Sequence, residues 1–222
     1  MLFRSDVKEL LLRASITPQA NDIFSACYSD NITFVMEYIA THTDIEIRSP
    51  LGLTPLIAAA ISDSSTCAEA LLEAKAHVDA QDSNGSTALL WAAEKGNIAC
   101  MRVLIAAEAN VDSCDKTGQT SLHWAVGKGH EEATQVLLDA KADVEARDGY
   151  ENTALMSAAL NGNIGCLNLL IAAKANVDSR DKHEATPLFE AAASGSIPCV
   201  RTLLNAKANF NAREKKGKTA LF

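Results

Sequence analysis

Apolar and small residues recur along the chain at a fixed interval of 33 residues. Each interval begins with a threonine that is followed two residues later by a leucine, and the pairs are Thr54/Leu56, Thr87/Leu89, Thr120/Leu122, Thr153/Leu155, Thr186/Leu188 and Thr219/Leu221. A period of roughly 20 to 50 residues is typical of a repeat solenoid, whose units bury their apolar faces only against one another. The pattern therefore predicts an extended binding surface rather than a pocket.

The positions inside one interval predict two short helices. The threonine suits the N-cap of the first helix, and Pro55 and Pro187 stand at its first position, where a missing N–H costs nothing. An alanine five residues after the threonine allows close helix packing, and a glycine, or Asp63, nine residues after it marks the break. A pair of large aliphatic residues then forms the apolar face of the second helix.

Between the intervals lies an aspartate followed three residues later by a glycine, as in Asp82 to Gly85 and Asp115 to Gly118. This spacing favours a tight turn with a positive φ at the glycine. It predicts a hairpin-like finger between units. Glutamates replace the finger glycine at Glu151 and Glu184, and we expect the fingers there to differ in shape.

A unit of 33 residues with helix, turn, helix and finger, headed by Thr-Pro-Leu-x-x-Ala, resembles the ankyrin repeat family. The likeness extends from about residue 21 to residue 222, and five full units keep one register without insertion. It implies an all-α repeat solenoid of stacked helix-turn-helix repeats joined by β-hairpin-like fingers. It also implies recognition of a protein partner through the finger tips and the concave face of the first helices.

The register divides the chain into four parts. Residues 1–20 form a lead-in segment, either a packed amphipathic helix or a disordered arm, and residues 21–53 form a degenerate N-terminal capping repeat. Residues 54–218 contain the five ankyrin-like units, and residues 219–222 begin a further, truncated one. Because no C-terminal cap is present, we expect either a fragment of a longer protein or self-association through the uncapped end.

One departure from the family is systematic. Where the family has a left-handed glycine at the end of the second helix, this chain has charged residues, namely Lys75, Glu108, Lys141, Lys174 and Lys207. A side chain in that conformation costs roughly 1–2 kcal/mol, and a cation at a helix C-terminus returns about 0.3–1 kcal/mol. We expect these positions to be mildly destabilising.

Composition excludes several functional classes. The net charge of −8 and the pI of about 5.1 argue against general affinity for nucleic acid or anionic membranes, which rely on basic surfaces. No signal-peptide core and no apolar run near the ~18 residues of a membrane span is present. We expect an intracellular protein, cytoplasmic rather than nuclear, without membrane insertion.

The repeat pattern explains the residues that could otherwise indicate a phosphate-binding, catalytic or metal site. Gly217-Lys218-Thr219 lacks the earlier glycine of a phosphate-binding loop, since Ala212 stands there, and the histidines are spread over different register positions. Four cysteines share one position of the second helix and are expected in the core as free thiols, namely Cys67, Cys100, Cys166 and Cys199. The sequence predicts no enzyme, no catalytic residue, no cofactor and no metal.

Two functions remain open. The first is a non-enzymatic protein–protein interaction module. The alternative is the regulatory or targeting portion of a larger enzyme, channel or ligase adaptor that continues beyond Phe222. Binding of a small ligand or an oligonucleotide in the groove is disfavoured by the acidic balance.

The most specific prediction concerns the partner-binding residues. Trp91 and Trp124 stand four residues after the threonine in adjacent units, on the same helix face as Lys95 and Lys128. Finger-tip residues extend this surface, namely Lys116 and Tyr150. We predict a protein segment, apolar with acidic flanks, docking across residues 91–150. In the alternative interpretation both indoles pack between units as core.

Overall fold

The computed structural model describes residues 22–42 and 44–220. The predicted lead-in segment at residues 1–20 lies outside this range, as do Leu221 and Phe222 of the truncated unit.

The described residues form twelve helices in six successive pairs and contain no strand. The pairs are α1 (Ile23–Tyr28) with α2 (Ile32–Thr41), α3 (Pro55–Ser62) with α4 (Ser65–Glu73), α5 (Ala88–Lys95) with α6 (Ile98–Ala106), α7 (Ser121–Lys128) with α8 (Glu131–Asp139), α9 (Ala154–Asn161) with α10 (Ile164–Ala172), and α11 (Pro187–Ala193) with α12 (Ile197–Asn205). We call the five pairs from α3 onward units one to five. The predicted all-α repeat solenoid is confirmed.

The helices stack in two layers. Each first helix packs on the first helices of neighbouring units, and the second helices form a parallel row. The alanines five residues after the threonine lie fully buried at the contacts between first helices, namely Ala59, Ala92, Ala125, Ala158 and Ala191. Because the interior is close-packed, a larger side chain there would force the helices apart.

The predicted threonine caps are present in three units. The hydroxyls of Thr54, Thr87 and Thr186 accept the amide three residues on, at 3.2, 3.3 and 3.3 Å. In unit three, Thr120 forms a capping box with His123, whose Nδ1 lies 2.9 Å from the Thr120 hydroxyl and accepts the Thr120 amide at 3.3 Å. In unit four, the Thr153 hydroxyl is buried without a partner among the described residues.

The turns at Glu151 and Glu184 have the geometry of the glycine turns, so the expectation that their shape differs is wrong at the turn itself. Both glutamates adopt the left-handed conformation, with φ of 65° and 62°. The Glu151 amide donates to the Asp148 carbonyl at 2.9 Å, the same bond that Gly118 makes to Asp115. The reason is the aspartate: its Oδ1 binds two amides of its own finger and so holds the turn without a glycine.

Successive fingers are also tied to one another. Amides donate to a carbonyl of the preceding finger in a continuous series, namely Ser83 to Leu51, Lys116 to Asn84, Gly149 to Thr117, Lys182 to Tyr150 and Lys215 to His183, at 2.8–3.3 Å. The finger tips therefore form one connected edge rather than separate loops.

The repeated cysteines lie in the core, as predicted. Cys67, Cys100, Cys166 and Cys199 are fully buried free thiols. Burial, reinforced by Asp30, raises the pKa of the Cys67 thiol to about 12, so this cysteine stays protonated. Cys114, on a finger, is exposed.

Unit five presents apolar side chains on its outer face. Ile197 is 64% exposed, and Leu204 and Phe210 are also exposed. The residues at these registers in unit four, Ile164, Ile171 and Val177, pack against the core. The outer face of unit five thus corresponds to the face of unit four that packs against the following unit.

His123 is a buried structural residue of α7. Its Nε2 donates to the Asn152 carbonyl at 3.1 Å, which leaves Nδ1 as the acceptor for Thr120. Burial lowers the pKa of His123, opposed by the bond to Asn152 and by the charges of Asp148 and Asp115. His123 is therefore held neutral in the folded protein.

Lys141→Gly should stabilise the protein. Lys141 has a φ of 66°, as expected for the left-handed helix end. Relief of that strain outweighs the lost cation at the helix C-terminus by about 1 kcal/mol. The midpoint of urea unfolding should rise, whereas Arg102→Gly, an exposed control inside α6, should lower it. A lower midpoint for Lys141→Gly would contradict the prediction.

His123 should make the protein less stable in mild acid. Because the folded-state pKa lies below the ordinary 6.5, protonation favours the unfolded chain as the pH falls through and below 6.5, while stability is complete above it. His123→Leu, which copies Leu90 at the same register of unit two, removes this dependence. The wild-type urea midpoint should fall more than that of the variant between about pH 7.5 and 5.5; equal falls would refute the assignment.

Candidate functional site: the indole face

Two tryptophans occupy equivalent places on adjacent first helices. Trp91 lies on α5 and Trp124 lies on α7. Residues three or four positions apart share one face of a helix, so each tryptophan shares its face with the residues three and four positions after it. We call the surface formed by Trp91, Trp124, Glu94, Lys95 and Lys128 the indole face. Both indoles are half-buried, and Trp91 also packs against the hydrophobic core.

Each indole is anchored to the finger that precedes its helix. Trp91 Nε1 donates to Asp82 Oδ2 at 2.9 Å, and Trp124 Nε1 donates to Asp115 Oδ2 at 3.0 Å. Both aspartates are buried, and their other oxygen binds amides of the finger turn. One carboxylate thus fixes both a finger and an indole.

The sequence pattern predicts a turn at each aspartate but not these aspartate–indole bonds. Each aspartate lies nine residues before its tryptophan in both units. That equal spacing was the available signal. Recognising it required knowing that the finger folds back against the first helix.

The lysines of the indole face lie over the tryptophan rings. Lys95 Nζ is 5.6 Å from the Trp91 ring centroid, and Lys128 Nζ is 5.5 Å from that of Trp124, both within the range of a cation–π contact. Glu94 lies between the two ammonium groups, 3.8 Å from Lys95 and 3.4 Å from Lys128. The charge around the indoles is therefore mixed rather than purely basic.

The predicted finger residues lie on the connected finger edge. Lys116 Nζ donates to the Ser83 carbonyl of the preceding finger at 2.7 Å, so its ammonium group braces two fingers. Tyr150 is 55% exposed, and Lys182 Nζ lies 3.9 Å from its ring centroid. Tyr150 is therefore the most exposed aromatic group of the predicted site.

The fingers join the predicted residues into one surface. Trp124 is bonded to the finger of Asp115, which contains Lys116. In that finger the Thr117 carbonyl accepts the Gly149 amide at 2.8 Å, and Gly149 immediately precedes Tyr150. The path from the Trp124 indole to the Tyr150 ring thus consists of two hydrogen-bonded fingers.

The surface changes character in later units. Ser157 and Glu190 stand at the register of the tryptophans in units four and five. Burial and then the Asp181 charge raise the pKa of Glu190, while His183 acts in the opposite direction. At this register of the first helices, aromatic side chains thus occur in units two and three, while unit five carries Phe189 one position earlier.

Among residues 22–42 and 44–220, no group of three His, Cys, Asp or Glu side chains could hold a metal ion. No helix within the described part of the chain has the length and apolarity to cross a membrane.

Comparison with known proteins identifies the repeat. A family model of ankyrin repeats matches residues 23–113, 76–148, 91–181 and 155–222, which together cover most of the chain. No curated protein sequence matches.

Solved structures show the same architecture. The ankyrin repeat domain of Bcl-3, described as a unique member of the IkappaB protein family, is 27% identical with a TM-score of 0.82, covering 90% of this chain and 91% of that one. The human ASB11 ankyrin repeat domain is 26% identical with a TM-score of 0.80, covering 90% and 89%. Ankyrin repeats generally act as protein–protein interaction modules and are typically not catalytic. The chain belongs to the ankyrin repeat family.

Proposed function

We propose that this chain is a non-enzymatic protein-binding module that takes an apolar segment with acidic flanks across residues 91–150. The observation that carries the proposal is the pair of half-buried indoles, each fixed by a finger aspartate in the same place of adjacent units. Rigid aromatic side chains offer contact area at a low cost in conformational entropy, and tryptophan is enriched in binding hot spots.

Charge supports acidic flanks in the partner. The protein as a whole carries −8, yet the finger edge of the proposed site carries Lys116, and Lys182 of the next finger lies with its Nζ 3.9 Å from the Tyr150 ring centroid. The hydrogen bond from the Lys182 amide to the Tyr150 carbonyl places this lysine beside the end of the site. A segment whose apolar centre lies on the indoles and whose acidic ends reach this edge would be complementary to both.

A selection experiment tests the proposal. Random peptides without tryptophan, displayed on phage, would be selected on the immobilised full-length chain and resynthesised for calorimetric titration. We expect apolar centres with an excess of Asp and Glu in the flanks. A synthetic copy with its acidic residues replaced by Lys should bind more weakly. Selected peptides without either feature would contradict the proposed partner chemistry.

Trp124→Ala should weaken binding of the selected peptide by about 30-fold, the equivalent of a 2 kcal/mol hot spot. Ser157→Ala, at the same register of unit four, is the matched control and should leave affinity unchanged. Urea unfolding would be measured in parallel. A folded Trp124→Ala variant that binds normally would contradict the hot spot, and a variant that unfolds would favour the core interpretation.

A second candidate is the targeting portion of a larger enzyme, channel or ligase adaptor. The exposed Ile197, Leu204 and Phe210 on the outer face of unit five favour it, because a further unit would cover them. The coding sequence downstream of residue 222 tests this directly. Another repeat or a catalytic domain would support it, and an immediate stop codon would contradict it.

A further inference from the structure

One glycine of the indole-face helix α7 has no structural reason to be a glycine. The chain contains eleven glycines, and all lie among the described residues. Eight have a positive φ, which favours glycine. Of the other three, a Cβ on Gly149 would lie 2.9 Å from the Thr117 carbonyl oxygen, and one on Gly165 would overlap the carboxylate of Glu131, an exposed side chain that would have to move aside. Gly127 alone lacks both a positive φ and a close contact.

Glycine at this position works against the stability of α7. Gly127 lies within the helix Ser121–Lys128, where glycine has a higher entropic cost of folding than alanine. A Cβ built there meets no atom within 4 Å, so the protein itself leaves room for a side chain. The remaining use of a missing Cβ is close approach to the helix backbone by a second molecule.

The surroundings of Gly127 indicate what would approach. Trp124 lies three residues earlier on the same side of α7. The same register is occupied by Glu94 in unit two and by Leu160 in unit four, and Leu160 is 51% exposed. α7 packs between the helices that carry these residues. We call the space over Gly127, between Trp124 and Leu160, the Gly127 notch.

The Glu94 carboxylate near the notch is neutralised by lysines. Glu94 is paired with Lys95 and Lys128, so no isolated charge opposes an apolar group there. The apolar side chains on this part of the surface are the Trp124 indole, one turn earlier on α7, and the exposed Leu160 on the neighbouring α9. An aliphatic or aromatic side chain is therefore the group that the notch suits best.

We infer that the Gly127 notch receives one apolar side chain of the bound protein segment, which packs directly on the backbone of α7 between Trp124 and Leu160. This inference rests on the proposed function, since it specifies where the apolar centre of the partner lies. It makes Gly127 a residue kept for binding at the expense of helix stability.

The test uses the full-length chain and the tightest tryptophan-free peptide from the selection described above. Gly127→Ala should raise the urea midpoint while weakening the peptide about tenfold, and Gly127→Leu should weaken it further, because the added atoms occupy the notch. The matched control is Ala193→Leu, at the same register of unit five and also exposed, which should leave affinity unchanged.

The outcomes distinguish a failure of the notch inference from a failure of the proposed function. If both Gly127 variants bind as the wild type while Trp124→Ala is weakened, the notch inference is wrong and the proposed site stands. If all three bind as the wild type, or if the wild type selects no peptide, both are wrong. Binding of oligothymidylate that is abolished by Gly127→Leu, with no effect of that variant on the peptide, would overturn a protein segment as the occupant.

Discussion

The structure depends on the burial of each unit against its neighbours. The fully buried alanines of the first helices and the buried leucines of the second, such as Leu104 and Leu137, contact residues about one repeat away in the chain. An isolated unit would leave these groups in water, so the units are stable only as a stack. The same stacking sets equivalent side chains of adjacent units side by side, which is how two tryptophans 33 residues apart come to share one surface.

The finger aspartate links this architecture to the candidate site. In every finger from Asp82 to Asp181, one carboxylate oxygen holds the turn. In units two and three the second oxygen of the preceding aspartate also accepts an indole N–H. Because a buried carboxylate needs hydrogen-bond partners, the bond satisfies the aspartate and orients the tryptophan at once. Gly127 lies one turn after Trp124 on the same helix, where glycine lowers the stability of the helix and its missing side chain leaves open space.

The sequence predicted what depends on local geometry. The 33-residue period predicts the stack of units, and the threonines predict three helix starts that the structure shows. The register also predicts the left-handed conformation that Lys141 adopts. The sequence did not predict the contacts between elements. The shape of the finger at Glu151 is set by hydrogen bonds to Asp148. The position of Glu94 between Lys95 and Lys128 depends on how α5 packs against α7, which the sequence alone does not give. At the register of Gly127 the adjacent units have Glu94 and Leu160, and it takes the structure to show that no neighbouring atom requires a glycine there.

The tryptophans provide the most direct test of the central claim, that the indole face is the binding surface. The chain contains two tryptophans, Trp91 and Trp124, so its intrinsic indole fluorescence reports on this face alone. Titration with a tryptophan-free bound peptide should shift the emission to shorter wavelength, because the half-exposed indoles lose contact with water. Saturable binding seen by calorimetry without any change in that emission would place the partner elsewhere and contradict the account.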